Sequence, residues 1–222
     1  MYECTQIKHG EAMRNYQKEL DEYIAKNCTD IKPRLFLHCC CAPCSSYVTE
    51  YLHNYFDITV FFYNPNITEK EEYEKRKAEL KRYLSEADYG DEISVIDADY
   101  DPESFFEAAK GLEDEPERGA RCEKCFRLRF SKTAEAAKKN GFDLFCTTLS
   151  ISPHKDADLL MRIGEELASR YGLKYLPSDF KKKNGYKRSI ELSAEYDLYR
   201  QNYCGCVFSK AKSEEKPGSF DT

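Results

Sequence analysis

Arg34-Leu35-Phe36-Leu37-His38-Cys39-Cys40-Cys41-Ala42-Pro43-Cys44, with the helical pattern of Ser45 to Tyr55 and the run Ile58-Thr59-Val60-Phe61-Phe62-Tyr63 behind it, is the stretch that decides the fold. Leu35 to Cys39 is a short apolar run after Pro33 and reads as a buried strand. Ile58 to Tyr63 is β-branched and aromatic, ends at Asn64-Pro65-Asn66, and reads as a second strand. Strand, helix and strand thus follow one another within about thirty residues, the length of one βαβ unit.

The same alternation continues outward. Thr68, with Glu71 at the capping-box position, is expected to cap a helix reaching Leu84. Ile93 to Asp97 reads as a third strand. Pro102 opens a helix through Lys110, and a longer one runs from Cys122 or just after to Lys139, stopped by Asn140-Gly141. Leu144 to Thr148 reads as a fourth strand, and Ser152-Pro153 as the start of the next helix. Before the first strand, Met13, Tyr16, Leu20, Tyr23 and Ile24 lie at three-to-four spacing between about Glu11 and Lys26, an amphipathic helical pattern,. The expected organisation is an N-terminal helical extension over 1–33, an α/β domain over 34–209 and a flexible tail over 210–222. Alternating strands and helices predict a parallel sheet covered by helices on both faces, with the cysteine-bearing loops at the carboxyl ends of the strands, where such sheets bind ligands.

Charged residues make up 33% of the chain and hydrophobic ones 41%. No apolar run approaches the roughly 18 residues of a membrane span, and no apolar segment follows Met1, so a cytoplasmic protein without membrane contact is expected. The net charge of −6 confines any nucleic-acid contact to local patches,. Candidates are Lys181-Lys182-Lys183 with Lys187 and Arg188, and the group Arg118, Arg121, Arg127 and Arg129.

Eleven cysteines in a chain this long, in a reducing compartment, mean metal or redox chemistry rather than a disulfide scaffold,. Cys39, Cys40, Cys41 and Cys44 crowd four thiols into six positions, which only a metal or a covalent partner stabilises. Cys122-x-x-Cys125 adds a second pair, so two plus two ligands complete a four-thiolate site. Four thiolates suit tetrahedral zinc and a cubane iron–sulfur cluster alike. Adjacent cysteines bind different irons of a polynuclear centre more readily than one small ion, and the loop lies where this fold class places catalysis, which favours the cluster over structural zinc or a buried thiol group. Cys204-Gly205-Cys206 permits a strained, labile disulfide able to pass two electrons, with a third ligand pair or two buried thiols as alternatives. His38 reads as a hydrogen-bonding neighbour rather than a ligand. Ser152, His154 and Lys155, at the expected helix start, form a secondary substrate- or anion-binding candidate. Cys4, Cys28 and Cys146 read as ordinary semi-buried residues.

Taken together, these motifs resemble those of the QueH-type epoxyqueuosine reductases, the cobalamin-independent family acting at the last step of queuosine synthesis in tRNA. The likeness runs from about Arg34 to Ser209. It rests on His38-Cys39-Cys40-Cys41-Ala42-Pro43-Cys44, Tyr63-Asn64-Pro65-Asn66-Ile67, Arg121-Cys122-Glu123-Lys124-Cys125, Thr147 to Lys155, and Tyr199 to Cys206. The resemblance implies a Rossmann-like (HUP-like) sheet, a 4Fe-4S cluster on Cys40, Cys41, Cys122 and Cys125, and a redox-active disulfide at Cys204 and Cys206. It further implies tRNA with a GUN anticodon (Tyr, His, Asn, Asp) as substrate and a separate electron donor. Cys44, with Cys39, is the candidate for thiols beside a second, mononuclear iron or zinc site. Cys39 is an extra thiol next to the matched pair, so which two of the three ligate stays open. Two other classes compete. A tRNA thiolase-like enzyme needs a Ser-Gly-Gly-x-Asp-Ser phosphate loop after the first strand, where this chain has cysteines. A zinc- or cluster-stabilised RNA-binding protein is the non-enzymatic alternative.

Overall fold

The protein is described here by a computed structural model covering residues 14–29 and 31–215. Strands β1 (Arg34–His38), β2 (Asp57–Phe62), β3 (Ser94–Asp97), β4 (Leu144–Thr147) and β5 (Lys174–Tyr175) form one all-parallel sheet in the order β3-β2-β1-β4-β5. Eight α-helices accompany it among the described residues: α1 (Tyr16–Asn27), α2 (Ala42–Leu52), α3 (Lys70–Glu86), α4 (Pro102–Ala109), α5 (Ala120–Lys139), α6 (Ala157–Tyr171), α7 (Gly185–Glu195) and α8 (Val207–Glu215). The expected α/β architecture is present.

Successive side chains leave a strand on opposite faces. Leu35 and Leu37 of β1 therefore join Ile58, Val60 and Phe62 of β2 in one core layer, with Val48 and Leu52 of α2 and Tyr73, Leu80 and Tyr83 of α3. Phe36 and Phe61 enter the other layer, against Phe126, Phe130 and Ala134 of α5 and Leu160, Ile163 and Leu167 of α6. The helix α1 packs directly on this domain. Leu20 is fully buried in the first layer, the Tyr16 hydroxyl donates to Asp158 (2.6 Å), and Lys183 pairs with Asp21 (2.5 Å). Glu11 to Met13, in the expected helical pattern, lie outside the described residues. At the other end α8 continues past Lys210, where a tail was expected to start, to Glu215.

Two boundaries differ from expectation for local reasons. Thr68 caps nothing: α3 starts after Glu69, no side chain caps it, and the Thr68 N–H donates to Gly205 O (3.2 Å). After β4 the chain makes a 3-10 turn over Thr148–Ile151, and α6 begins at Ala157 instead of Ser152-Pro153. The cap is Asp156, whose Oδ1 accepts from the N–H groups of Asp158 (2.9 Å) and Leu159 (3.2 Å),. The short β5 and helix α7 have no counterpart in the sequence reading. No helix among the described residues is long and apolar enough to cross a membrane.

Candidate metal and redox site

In a parallel sheet whose order turns at β1 and β4, the crevice opens beyond the carboxyl ends of those two strands. The cysteine run leaves β1 there, and Thr148 to Asp156 leaves β4 opposite it, with Cys40 Sγ 3.8 Å from Thr148 Oγ1. His38 closes the floor. It is fully buried, with Nε2 3.1 Å from Tyr63 O and Nδ1 2.9 Å from the Thr147 hydroxyl, and burial, then the charge of Arg129, drives its pKa down to about 3. Nε2–H then donates to the carbonyl while the hydroxyl donates to Nδ1, so the imidazole is a neutral spacer, as expected.

Strand alternation sorts the cysteines. Cys39 continues the parity of Leu35 and Leu37 into the first core layer, is 0% exposed, and has its thiol pushed up by burial. Cys40 follows Phe36 to the other side. The sulfur atoms of Cys40, Cys41 and Cys44 all lie within 4.8 Å of one another, so the structure groups Cys44 with the matched pair and leaves Cys39 outside. Pro43 in the first turn of α2 and extended backbone at Cys41 start the helix under these sulfurs, where its N-terminal dipole favours thiolate,. Cys40 lies below the ordinary thiol range because Cys41, then Cys44, bond to its sulfur, with Arg129 assisting; Cys41 is raised to about 12 by the same bond, and Cys44 is raised by its bonds to both. The bonds favour the charged form at Cys40 and oppose it at Cys41 and Cys44, and a metal taking all three sulfurs must displace the protons they hold,.

Cys122 and Cys125 project from the first turns of α5. Both line a narrow recess with Cys204 and Cys206. Burial raises Cys125 to about 12 and Cys206 to about 11, and it raises Cys122 as well. The Cys204-Gly205-Cys206 loop is stitched in place by backbone contacts. Cys204 O accepts from Asn66 Nδ2 (3.2 Å) and Arg76 (3.3 Å), and Cys204 N–H donates to Ser209 Oγ (3.1 Å). Gly205 has φ +115°, and a Cβ there would stand 2.9 Å from Ile67 Cγ1, so only glycine fits between the two thiols,. Both cysteines are free thiols.

A larger cleft joins the two thiol groups. It is lined by Cys40, Cys44 and Cys204, by Tyr186, Arg200, Gln201 and Tyr203, and by Ser152, His154 and Lys155. Lys155 lies in both cleft and recess, its Nζ 3.6 Å from Cys204 Sγ and 3.7 Å from Glu117; burial alone would lower it, but Cys204 and Glu117 hold it above its usual value. His154 Nδ1 meets Arg118 at 3.1 Å, and Ser152 Oγ accepts the His154 N–H. Helix α6 begins beyond these residues, and the Asp156 carboxylate accepts two of its free N–H groups, those of Asp158 and Leu159. In the second basic patch two of the four arginines are buried. Arg129 is 1% and Arg121 3% exposed, the latter donating to Leu112 O and Glu113 O. In the first patch, Lys181 pairs with Asp179, Lys183 with Asp21 and Arg188 with Glu50.

Comparison with known proteins agrees with this geometry. The profile of the epoxyqueuosine reductase QueH family matches residues 35–212. The chain belongs to that family. Among relatives named epoxyqueuosine reductase QueH, the Streptococcus pyogenes protein is 48% identical over 81% of this chain and 71% of its own length. The Staphylococcus epidermidis protein is 42% identical over 96% and 92%, and the Thermotoga maritima protein 36% identical over 82% and 93%. The family match takes in every cysteine described above from Cys39 to Cys206.

Cys40, Cys41 and Cys44 are placed to hold a metal ion, and an all-thiol donor set selects soft centres such as iron–sulfur or zinc over magnesium or calcium,. A second observation fits a negatively charged centre. Arg129 is buried with its Nε unpartnered, and its single hydrogen bond among the described residues goes to a neutral oxygen, Asn64 Oδ1 (2.7 Å). Helical spacing carries the signal that sequence reading missed here, since Cys122, Cys125 and Arg129 fall at i, i+3 and i+7 on one face of α5,.

Proposed function

We propose that this chain is an epoxyqueuosine reductase that removes the epoxide oxygen of epoxyqueuosine as water, forming queuosine at the wobble position of cytoplasmic tRNAs with a GUN anticodon (Tyr, His, Asn, Asp). Family membership supports the activity, and one structural observation carries the chemistry: Cys204 lines both the open cleft, with Cys40 and Cys44, and the inner recess, with Cys122, Cys125 and Cys206. A two-electron relay needs that position. When bound, a 4Fe-4S cluster on Cys40, Cys41, Cys122 and Cys125 and a mononuclear iron or zinc beside Cys44 supply single electrons and a Lewis acid.

The remaining work falls to this chain's own side chains. An unpaired wobble base enters the cleft between Tyr186 and Tyr203, with the Arg200 guanidinium at the rim, planes on which a splayed nucleoside stacks,. Opening the epoxide to the alkene consumes two electrons and two protons and releases one water. Oxidation of the Cys204 and Cys206 dithiol to the disulfide yields two electrons and two protons, so the two half-reactions balance. A separate electron donor returns the disulfide to the dithiol. Lys155 Nζ, charged and next to Cys204 Sγ, holds a proton at the junction of cleft and recess. The test is anaerobic incubation of the iron-loaded protein with epoxyqueuosine-containing tRNA and a strong reductant, followed by nucleoside mass analysis. Queuosine lighter by one oxygen is the expected product, and unchanged epoxyqueuosine with a protein holding its full iron overturns the proposal. If Cys204→Ser sustains multiple turnover with every reductant, the relay is wrong.

A further inference from the structure

We propose that Arg129 is the positioning residue of the metal centre, its buried positive charge answering the negative charge of the thiolate-ligated group and raising that group's reduction potential. The inference rests on the reading above that thiolates of the 39–44 loop and of α5 hold such a group.

Four cationic side chains, three of them buried, surround the site, and all but Arg129 have conventional partners. Arg76 pairs with Glu72 (2.6 Å), Lys155 with Glu117 (3.7 Å), and Arg121 donates to two backbone carbonyls and lies over the Phe208 ring. Arg129 has no carboxylate within ion-pair distance among the described residues. It donates only to Asn64 Oδ1, and its Nε meets no acceptor. A buried guanidinium stays ionised, and burying it without a counter-charge is strongly unfavourable, so an anion must be supplied by something else in the site. Arg129 lines the cleft together with Cys40, Cys44 and Cys204 and shares α5 with Cys122 and Cys125, so its charge stands between the two ligand-bearing segments.

Its anchoring has the same logic. Arg129 is one helical turn beyond Cys125, and Asn64, which takes its NH2 donor, uses its own Nδ2 to hold Cys39 O (2.9 Å), the carbonyl immediately before Cys40. One amide thus ties the guanidinium to the cysteine loop and sets its distance from the sulfurs. A fixed positive charge next to the centre stabilises the reduced state, which carries one more negative charge, more than the oxidised one, and a donor to its sulfurs acts in the same direction.

The test uses the full-length, anaerobically iron-loaded protein without tRNA. Iron and sulfide per chain are assayed, and the midpoint potential is taken by spectroscopic redox titration, for wild type, Arg129→Lys and Arg129→Met. The expected result is full iron in all three, a midpoint close to wild type in R129K, and a shift to lower potential in R129M beyond replicate scatter. Full iron with an unshifted midpoint in R129M overturns the inference. Should R129M fail to fold or load, Asn64→Asp keeps the guanidinium but neutralises it with an adjacent carboxylate; the same downward shift is expected, and an unshifted midpoint overturns it. A wild-type protein that takes up no iron removes the metal-centre reading itself, an outcome the iron assay separates from an unshifted potential.

Discussion

Replacing Cys39 by alanine separates a core thiol from a ligand within one three-cysteine run. Cys39 Sγ is fully buried in the layer built by Leu35, Leu37 and Ile58, so its removal deletes about one methylene equivalent of buried volume and leaves a small cavity. Transfer and cavity terms for such a deletion come to about 1–1.5 kcal/mol. For a chain of this size each kcal/mol moves the melting temperature by about 2–4 °C, so the iron-free C39A protein is expected to melt about 2–6 °C below wild type. Its iron content after anaerobic loading should equal wild type. Cys40→Ala, only half-buried, is expected to do the opposite: little change in the melt of the iron-free chain and a large loss of iron. Thermal melts by circular dichroism and iron per chain on the same preparations read both quantities. If C39A loses iron as completely as C40A, strand alternation does not govern this loop and the assignment of Cys39 to the core is wrong.

Other outcomes follow from individual contacts. Gly205→Ala places a Cβ against Ile67 at φ +115° and costs about 1–3 kcal/mol of local strain,; alkylation of Cys206 should accelerate, and an unchanged rate means the loop tolerates the side chain. Asp156→Ala removes the α6 cap and is expected to cost about 1 kcal/mol with no gain or loss of tRNA affinity,; a changed dissociation constant restores the anion-site reading. Neutralising Lys181 to Lys183 should weaken tRNA binding at low salt and flatten its salt dependence, with most of the loss at Lys182 because its neighbours are already paired,; an unchanged dissociation constant excludes the patch. Glu79 accepts from Arg82 and from Tyr199 N–H (2.6 Å), and chiefly the Arg82 bond lowers its pKa. Stability from a depressed carboxyl is present above its unfolded pKa and lost as pH falls through the folded value. Glu79→Gln should therefore flatten the acid limb of urea midpoint against pH, and an unaltered limb rejects the role.

Continuous apolar runs at Leu35 to His38 and Ile58 to Phe62, strands whose side chains alternate between faces and which are separated by a helical stretch, determined the parallel α/β class by themselves, because a parallel pair needs a crossover and the chain supplies it locally,. The spacing of the cysteines likewise pointed to thiol-based metal or redox chemistry, since crowding thiols is unfavourable without a partner. The same alternation already separates Cys39 from Cys40, although it passes unnoticed beside the cysteine run. What only the tertiary structure decided is who meets whom. Cys204 comes to the cleft through contacts with Asn66 and Arg76, more than a hundred residues earlier. Arg129 and Arg121 look like surface cations in a list of basic residues and turn out to be buried. Local pattern reports which face of an element is apolar, but the balance of charge inside a site depends on which carboxylates, amides and sulfurs long-range folding brings within a few ångströms. That is why helical spacing could align Arg129 with Cys122 and Cys125, while its missing counter-charge shows only in three dimensions.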